Sequence, residues 1–209
     1  MSSSDYHPHA LRYLLLWLDR DRDFLLALRN KAMPRKERLQ QLRRATSTYS
    51  VARNLRGGPT DNAPTRYAPL LQILDALPAD LPRRGYANVD FTANRIRRAY
   101  QESNGLNSLS SKLLWLRFGR PFLVYDKRAR TELGTPPDDL NEFEKVWRAR
   151  FRQDRPAITS ACAQLPEVLS FMPASVPHNE IRRAIQARWF HERVLDQALW
   201  KGSAQNQHR

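Results

Sequence analysis

Apolar residues recur at helical spacing in most segments of this chain, and charged residues fall between them. In the segment 11–32, Leu14 and Leu18 lie near one face of a helix, whereas Asp19-Arg20-Asp21-Arg22 occupies the other. Phe122-Leu123-Val124-Tyr125 alone has the composition of a strand, and no segment alternates polar and apolar residues convincingly. We therefore predict an all-α fold, a compact bundle of roughly eight to ten helices with little or no sheet.

Prolines and glycines divide the chain into its predicted helices. In chain order these cover 11–32, 35–55, 66–77, 90–103, 109–118, 127–133, 138–152 and 179–200. The turns between them contain Gly57-Gly58-Pro59, Asn104-Gly105 and Gly134-Thr135-Pro136-Pro137. Pro156, Pro166, Pro173 and Pro177 predict short helices after residue 152. The polar residues 1–10 and the tail 201–209 are predicted to be frayed.

Length and cysteine content limit the kind of protein this can be. A chain of 209 residues with 41% hydrophobic residues suits a single domain, 1–209, or two packed halves of one fold. The single cysteine, Cys162, permits no intrachain disulfide and favours a reducing compartment. Residues 1–10 lack the apolar core of a signal peptide, and the run Leu14–Leu18 is too short to span a bilayer. We expect a cytoplasmic protein without membrane association.

The charge balance indicates a polyanionic partner. The chain has 35 Lys and Arg against 21 Asp and Glu, a net charge of +14. Nucleic acid is the partner that this excess favours, with an anionic membrane surface or an acidic protein as alternatives. Most of the cations are arginines, whose planar guanidinium matches phosphate geometry and stacks on bases. High-GC codon usage would explain arginine over lysine, but it would not explain the net excess.

The strongest chemical pattern lies between residues 104 and 126. Ser108, Ser110 and Ser111 stand at a helix start, Lys112 follows them, and the apolar run 122–125 ends in Asp126. Small residues at a helix N-terminus let backbone N–H groups approach a phosphate, and the helix dipole favours the anion. A lysine amine that is partly screened from water loses its proton more readily and can act as a nucleophile. A nearby aspartate could orient that amine or stabilise a developing cation.

This segment resembles the helix-hairpin-helix DNA glycosylase superfamily, which includes 8-oxoguanine glycosylase and endonuclease III. There, a hairpin contacts the DNA backbone, a nucleophilic lysine begins the next helix in bifunctional members, and a short apolar run ends in the catalytic aspartate. The resemblance covers residues 90–135. It implies that Ser108-Leu109-Ser110-Ser111 forms the hairpin turn and that Lys112 attacks C1′ of a flipped nucleotide. The base would leave through a Schiff base, which allows strand cleavage, and Asp126 would stabilise the oxocarbenium-like charge. Serines stand where the family's hairpin carries glycines, and no cysteine cluster for an iron–sulfur centre is present.

Further residues complete the predicted nucleic-acid contacts. Besides the three serines, these are Arg117, Arg128 and Arg130. Trp17, Trp115 and Tyr125 are candidates for stacking on a base or wedging between bases. No cofactor is predicted, because the chain has no Walker-type phosphate loop and no dinucleotide fingerprint. No metal site is predicted either, because His178 and His191 have no further ligands at metal-binding spacing.

Two functions from different classes follow, and the sequence leaves open whether the protein is an enzyme. The first is a DNA glycosylase that removes a damaged or modified base, with Lys-dependent lyase activity as an option. The second is a non-catalytic, basic, helical nucleic-acid-binding protein, for example an accessory protein of a bacterial defence or mobile-element system. In that case Lys112 is a solvated residue at a helix start and Asp126 an ordinary N-cap. A third idea, a helical adaptor for an acidic protein, has less support from these residues.

Overall fold

A computed structural model describes residues 2–51, 55, 63–100, 106–171 and 176–205, and this part of the chain contains no β-strand. Its α-helices are α1 (Ser3–Leu16), α2 (Arg22–Arg29), α3 (Arg35–Thr48), α4 (Ala63–Asp75), α5 (Asn88–Tyr100), α6 (Asn107–Phe118), α7 (Lys127–Glu132), α8 (Leu140–Ala163), α9 (His178–Gln186) and α10 (Arg188–Gln205). A π-helical segment, Trp17–Asp21, joins α1 to α2, and 3-10 helices cover Leu81–Arg84 and Leu165–Phe171. The predicted all-α class is confirmed.

The N-terminal residues are helical, so the prediction of a frayed segment 1–10 is wrong. Helix α1 begins at Ser3, and the backbone N–H of Ser2, its N-cap, donates to Asp5 Oδ2 at 2.6 Å. Capping of this kind satisfies backbone donors that are otherwise left open at a helix start. Tyr6 and Ala10 are fully buried, so this polar-looking segment contributes to a core.

Three other boundaries differ from the prediction. Helix α3 ends at Thr48 instead of 55, and Ser50 follows with a positive φ of 54°. Helix α8 continues through Pro156 to Ala163, beyond its predicted end at residue 152, so the short helix predicted to lie between 152 and Pro156 is part of α8. The predicted helix 179–200 is two helices, since Ala187 has an extended backbone between α9 and α10.

Some predicted features fall outside the described residues. The turns Gly57-Gly58-Pro59 and Asn104-Gly105 are among them, and so is Pro173. In the tail, α10 extends to Gln205, and residues 206–209 lie outside the described part of the chain.

The chain divides into two compact units. Unit 1 comprises Met1–Arg20, Lys127–Pro137 and Glu142–Arg209, and in it α10 packs against both α1 and α7. Its core is aromatic: the rings of Trp147 and Phe151 stack with centroids 5.4 Å apart, and those of Tyr13 and Phe190 lie 4.9 Å apart. Such ring pairs add directional packing to the burial of apolar area.

Two buried carboxylates in unit 1 are paired. Asp154 accepts a hydrogen bond from the Tyr6 hydroxyl at 2.6 Å and another from Arg150. Asp196 accepts from Trp147 Nε1 at 2.9 Å and from Arg193 at 2.8 Å. Buried charge is tolerated only with such partners, so these contacts hold the helices that supply them in register.

Unit 2 comprises Asp21–Asp126 and Asp138–Asn141 and has a leucine-rich core. Fully or almost fully buried leucines come from α2, α3, α4 and α6: Leu28, Leu42, Leu70, Leu74, Leu109 and Leu114. The buried Arg38 links α2, α3 and α4, because it donates to the Ala27 carbonyl and to both carboxylate oxygens of Asp75. Helix α6 packs against α2 and α5 within this unit.

Candidate active site

Helix α6 places a lysine inside unit 2. Every residue from Leu109 to Leu116 is buried, and leucines stand on several sides of the helix. A helix that is apolar nearly all round belongs in the interior of a protein, where an ammonium group requires hydrogen-bonding partners. The side chain of Lys112 is only 7% exposed.

Lys112 finds two partners from different parts of the chain. Its Nζ lies 3.1 Å from Asp126 Oδ2 and 3.1 Å from Ser108 Oγ. Ser108 is four residues earlier on the same helix, a spacing that brings side chains together on one face. Asp126 follows the segment 122–125, which has no regular secondary structure. Its side chain is 23% exposed, so solvent reaches the pair at the carboxylate.

A buried serine fixes the position of the segment that carries the carboxylate. Ser111 Oγ donates to the Ser108 carbonyl at 3.1 Å and accepts the backbone N–H of Tyr125 at 3.0 Å. The Tyr125 hydroxyl in turn accepts the backbone N–H of Asp138 at 2.9 Å. Tyr125 is therefore held at its backbone and at its ring end, and Asp126, the next residue, is set opposite Lys112.

The predicted hairpin turn at Ser108-Leu109-Ser110-Ser111 is wrong, because α6 already begins at Asn107. Ser110 and Ser111 are fully buried, so their hydroxyls are not placed to contact a phosphate. Ser108 is half-buried and stays a candidate contact. The expectation of a solvated Lys112, made for the binding-protein alternative, is also wrong, because the helix turns this residue inward. Residues 101–105 lie outside the described part of the chain.

The three predicted arginines have different surroundings. Arg117 is half-buried in unit 2, where its Nη1 donates to the Arg29 carbonyl at 3.2 Å, and burial lowers the pKa of its guanidinium. Arg130, in unit 1, donates to the Thr135 carbonyl at 3.3 Å. Arg128, also in unit 1, is exposed, and its guanidinium carbon lies 4.1 Å from the ring centroid of Trp200. Arg128 is thus the predicted arginine that is best placed to meet a ligand.

The aromatic candidates for base stacking are core residues. Trp17, Trp115 and Tyr125 are 4%, 3% and 7% exposed, so their rings are already covered by protein. Trp200 is 39% exposed and was not singled out by the sequence. A signal for it was available: Trp200 is the last aromatic residue before a polar tail, where few apolar residues remain to cover it.

Among the residues with described side chains, no group of three or more His, Cys, Asp or Glu is arranged to hold a metal ion. Within the same part of the chain, no helix is long and apolar enough to cross a membrane. Comparison with protein-family models, curated proteins and solved structures gave no match to this chain. The functional interpretation is therefore based on the contacts of Lys112.

Proposed function

We propose that this protein binds DNA and acts on it as a glycosylase with lyase activity, using Lys112 as the amine nucleophile. The observation that carries the proposal is the buried Lys112 ammonium in contact with the Asp126 carboxylate and the Ser108 hydroxyl. The net charge of +14 supports a polyanionic substrate. The resemblance of the 104–126 segment to helix-hairpin-helix glycosylases supports the reaction class.

Stability alone gives a weak reason for this ion pair. Taking two charges out of water costs several kcal/mol per ion, and their mutual attraction roughly offsets that cost. Apolar residues of similar volume in place of Lys112 and Asp126 would stabilise the core around α6 at least as well. Paired ionisable groups at a partly solvent-accessible position are typical of sites where a proton must move.

The contact between Lys112 and Asp126 allows a displacement reaction at C1′ of a nucleotide. Asp126 takes a proton from the Lys112 ammonium, and the freed amine forms a bond to C1′ while the C1′–N bond to the base breaks. The base leaves with the electron pair of that bond and takes up the proton from Asp126. Cleavage of the C1′–O4′ bond then opens the sugar ring: one proton moves from Nζ to O4′, and an iminium forms between Nζ and C1′. Loss of a C2′ proton from this iminium expels the 3′ phosphate and cleaves the strand.

One observation favours the second candidate, a nucleic-acid-binding protein without catalytic activity. Ser108–Ser111 are helical and two of these serines are buried, so the expected hairpin is not formed by these residues. Under this alternative, Lys112 and Asp126 form an internal ion pair, and DNA is held by exposed cations. The two candidates differ in whether the Lys112 amine ever bonds to DNA.

Borohydride trapping on a duplex with an abasic site tests the proposal. The amine condenses with the C1′ aldehyde and releases water, and borohydride reduces the iminium to a stable secondary amine. The wild-type protein should give a covalent adduct. Lys112→Arg should give none, because a guanidinium retains the charge beside Asp126 but forms no Schiff base.

Lys145→Arg is the matched control, since Lys145 is an exposed lysine whose side chain is 76% accessible. It should trap as well as the wild type. An adduct that persists in Lys112→Arg would come from the N-terminal amine or another lysine and would refute the role of Lys112. No adduct with any variant would refute the lyase activity and leave a glycosylase without lyase activity that relies on Asp126, or the non-catalytic candidate.

A further inference from the structure

Unit 1 carries an exposed cluster in which two arginines surround one tryptophan. The guanidinium carbon of Arg128 lies 4.1 Å from the Trp200 ring centroid, and that of Arg12 lies 5.9 Å from it. Arg12 comes from α1, Arg128 from α7 and Trp200 from α10, and α10 packs against the other two helices. Both arginines are exposed, and Trp200 is 39% exposed. We refer to Arg12, Arg128 and Trp200 as the arginine–tryptophan cluster.

The geometry brings two positive charges together at the surface. Because both guanidinium carbons are close to one ring, they are at most about 10 Å apart, the sum of the two distances. The attraction between a cation and the face of an indole ring holds each arginine in place. A guanidinium that contacts a ring through its face still directs N–H groups outward from its edge, where they can bind an anion in a bidentate manner.

We propose that the arginine–tryptophan cluster binds the phosphodiester backbone of a nucleic acid, with Trp200 positioning Arg12 and Arg128. A 10 Å length of duplex axis carries roughly six phosphate charges, so both arginines can meet phosphates at once. The proposal rests on the proposed function only for the class of partner, because it requires no reaction at Lys112. It adds a binding surface in unit 1, whereas the candidate active site lies in unit 2.

Nucleic acid fits the cluster better than an anionic membrane does. Membrane-surface helices combine a broad apolar face with cations. On α1, whose residues are all described, Leu15 is the exposed large apolar residue; it is 52% exposed and lies three residues after Arg12. One leucine does not form a broad apolar face. The guanidinium groups lie near the indole ring, so they occupy part of the surface that a tryptophan would insert among lipid headgroups. Paired guanidinium forks suit phosphodiesters that stand at regular intervals along a strand.

The experiment measures equilibrium binding of the full chain to a fluorescein-labelled duplex by anisotropy, over a series of NaCl concentrations. Arg12→Gln and Arg128→Gln should each weaken binding roughly fivefold to tenfold. Each should also reduce the slope of log K against log salt by about 0.9, the value for one lost phosphate contact. Trp200→Ala should weaken binding by loss of positioning, and Trp200→Phe should restore most of it, because phenylalanine retains a ring face for the arginines.

Arg152→Gln is the matched control, because it removes the same charge from an exposed position on α8 in unit 1. It should leave the affinity within about twofold of the wild type. An equal loss with Arg152→Gln and Arg128→Gln would overturn the proposal, since net charge alone would then explain binding. Wild-type protein without affinity for the duplex would overturn it as well.

A second binding experiment uses phosphatidylserine–phosphatidylcholine vesicles in place of DNA. The proposal expects Leu15→Ala to leave DNA affinity unchanged. If Leu15→Ala and Trp200→Ala abolished vesicle binding while DNA affinity stayed the same, the cluster would be a membrane contact and the proposal would be wrong. Borohydride trapping of Lys112→Arg tests the chemistry at the active site, and the anisotropy of the Arg12 and Arg128 variants tests the binding surface, so failure of either proposal can be recognised separately.

Discussion

At Lys112 the desolvation of an ammonium group is balanced by a carboxylate and a hydroxyl, and removal of one partner measures this balance. Asp126→Asn should destabilise the protein by about 1–2 kcal/mol, less than for a fully buried pair because Asp126 is partly exposed. Lys112→Met should cost little or stabilise, since methionine fits the apolar surroundings of α6. Urea unfolding at neutral pH gives both values.

The double variant Lys112→Met/Asp126→Asn is the control for this pair. It should be more stable than Asp126→Asn alone, because no ammonium is then left without its counter-charge. If Asp126→Asn had the stability of the wild type, or if the two changes were additive, the ion pair would not determine the energetics of α6.

Ser111 and its neighbour Ser110 offer a closely matched comparison. Both are fully buried on α6, but Ser111 Oγ makes two hydrogen bonds, whereas Ser110 Oγ has no hydrogen-bond partner among the residues that the structure describes. Ser111→Ala removes the hydroxyl that accepts the buried backbone N–H of Tyr125 and should cost about 1–3 kcal/mol. Ser110→Ala should be neutral or slightly stabilising, by up to roughly 1 kcal/mol.

Urea unfolding of the two serine variants checks the comparison, and borohydride trapping adds a second measurement. Because Ser111 sets the segment before Asp126, Ser111→Ala should also reduce trapping while Ser110→Ala does not. Equal stability of the two variants would mean that the Ser111–Tyr125 contact does not hold the segment in place.

At the scale of elements, the junction between α9 and α10 depends on a histidine. His191 Nε2 lies 2.9 Å from the Ile185 carbonyl in the last turn of α9, and its Nδ1 lies 3.3 Å from Thr159 Oγ1. A carbonyl can only accept, so Nε2 carries the proton and Nδ1 accepts from the threonine hydroxyl. Burial is the largest effect on this imidazole and lowers its pKa.

The lowered pKa makes the stability of this junction dependent on pH. Above pH 6.5, the ordinary value, the ring is neutral in both states and its contribution is fully present. As the pH falls below that value, the unfolded chain binds the proton first, so stability is lost on acidification. The stability advantage of the wild type over His191→Gln should therefore shrink between about pH 7.5 and about pH 5, measured by urea unfolding. An advantage that grew on acidification would mean that the folded state prefers the charged ring.

Helix periodicity predicted most elements but not their ends. The apolar spacing in 66–77 and 109–118 locates α4 and α6 closely, because their leucines face a core. The polar residues before Leu11 conceal the start of α1, since Tyr6 is its earliest buried aromatic residue and the cap is made by Ser2 and Asp5. The break at Ala187 has no proline or glycine signal, and the contact at the end of α9 comes from His191, which follows Ile185 after the break.

The residues of the candidate site could be predicted from the sequence, but their burial could not. Ser108, Lys112 and Asp126 were identified from residue type and spacing, and the structure brings them together. Burial of α6 depends on neighbours such as α2 and α5, which pack against it in unit 2, and spacing along one helix contains no information about those neighbours. For the same reason, Trp115 and Tyr125 look like exposed aromatic candidates in the sequence, although they are covered in the structure.

At the scale of the whole molecule, the division of the chain into units brings together residues that are far apart in the sequence. Unit 1 is formed by both ends of the chain and unit 2 by its middle, so residues distant in sequence share a surface. Arg12 and Trp200 stand near opposite ends of the sequence yet meet in one cluster. Local patterns cannot indicate such a meeting, whereas the overall excess of positive charge is readable from composition.

The same excess predicts how salt affects folding. A net charge of +14 creates self-repulsion that the folded state concentrates and the unfolded chain relieves. Buried pairs such as Arg193–Asp196 are screened much less than the exposed arginines, so added salt should mainly weaken repulsion. Thermal unfolding followed by circular dichroism should shift upward by a few degrees between about 20 mM and about 300 mM NaCl. A double variant, Arg152→Gln/Arg155→Gln, which lowers the net charge at exposed positions, should shift less. A downward shift with salt would show that favourable ion pairs outweigh repulsion, and that the excess positive charge does not destabilise the folded state.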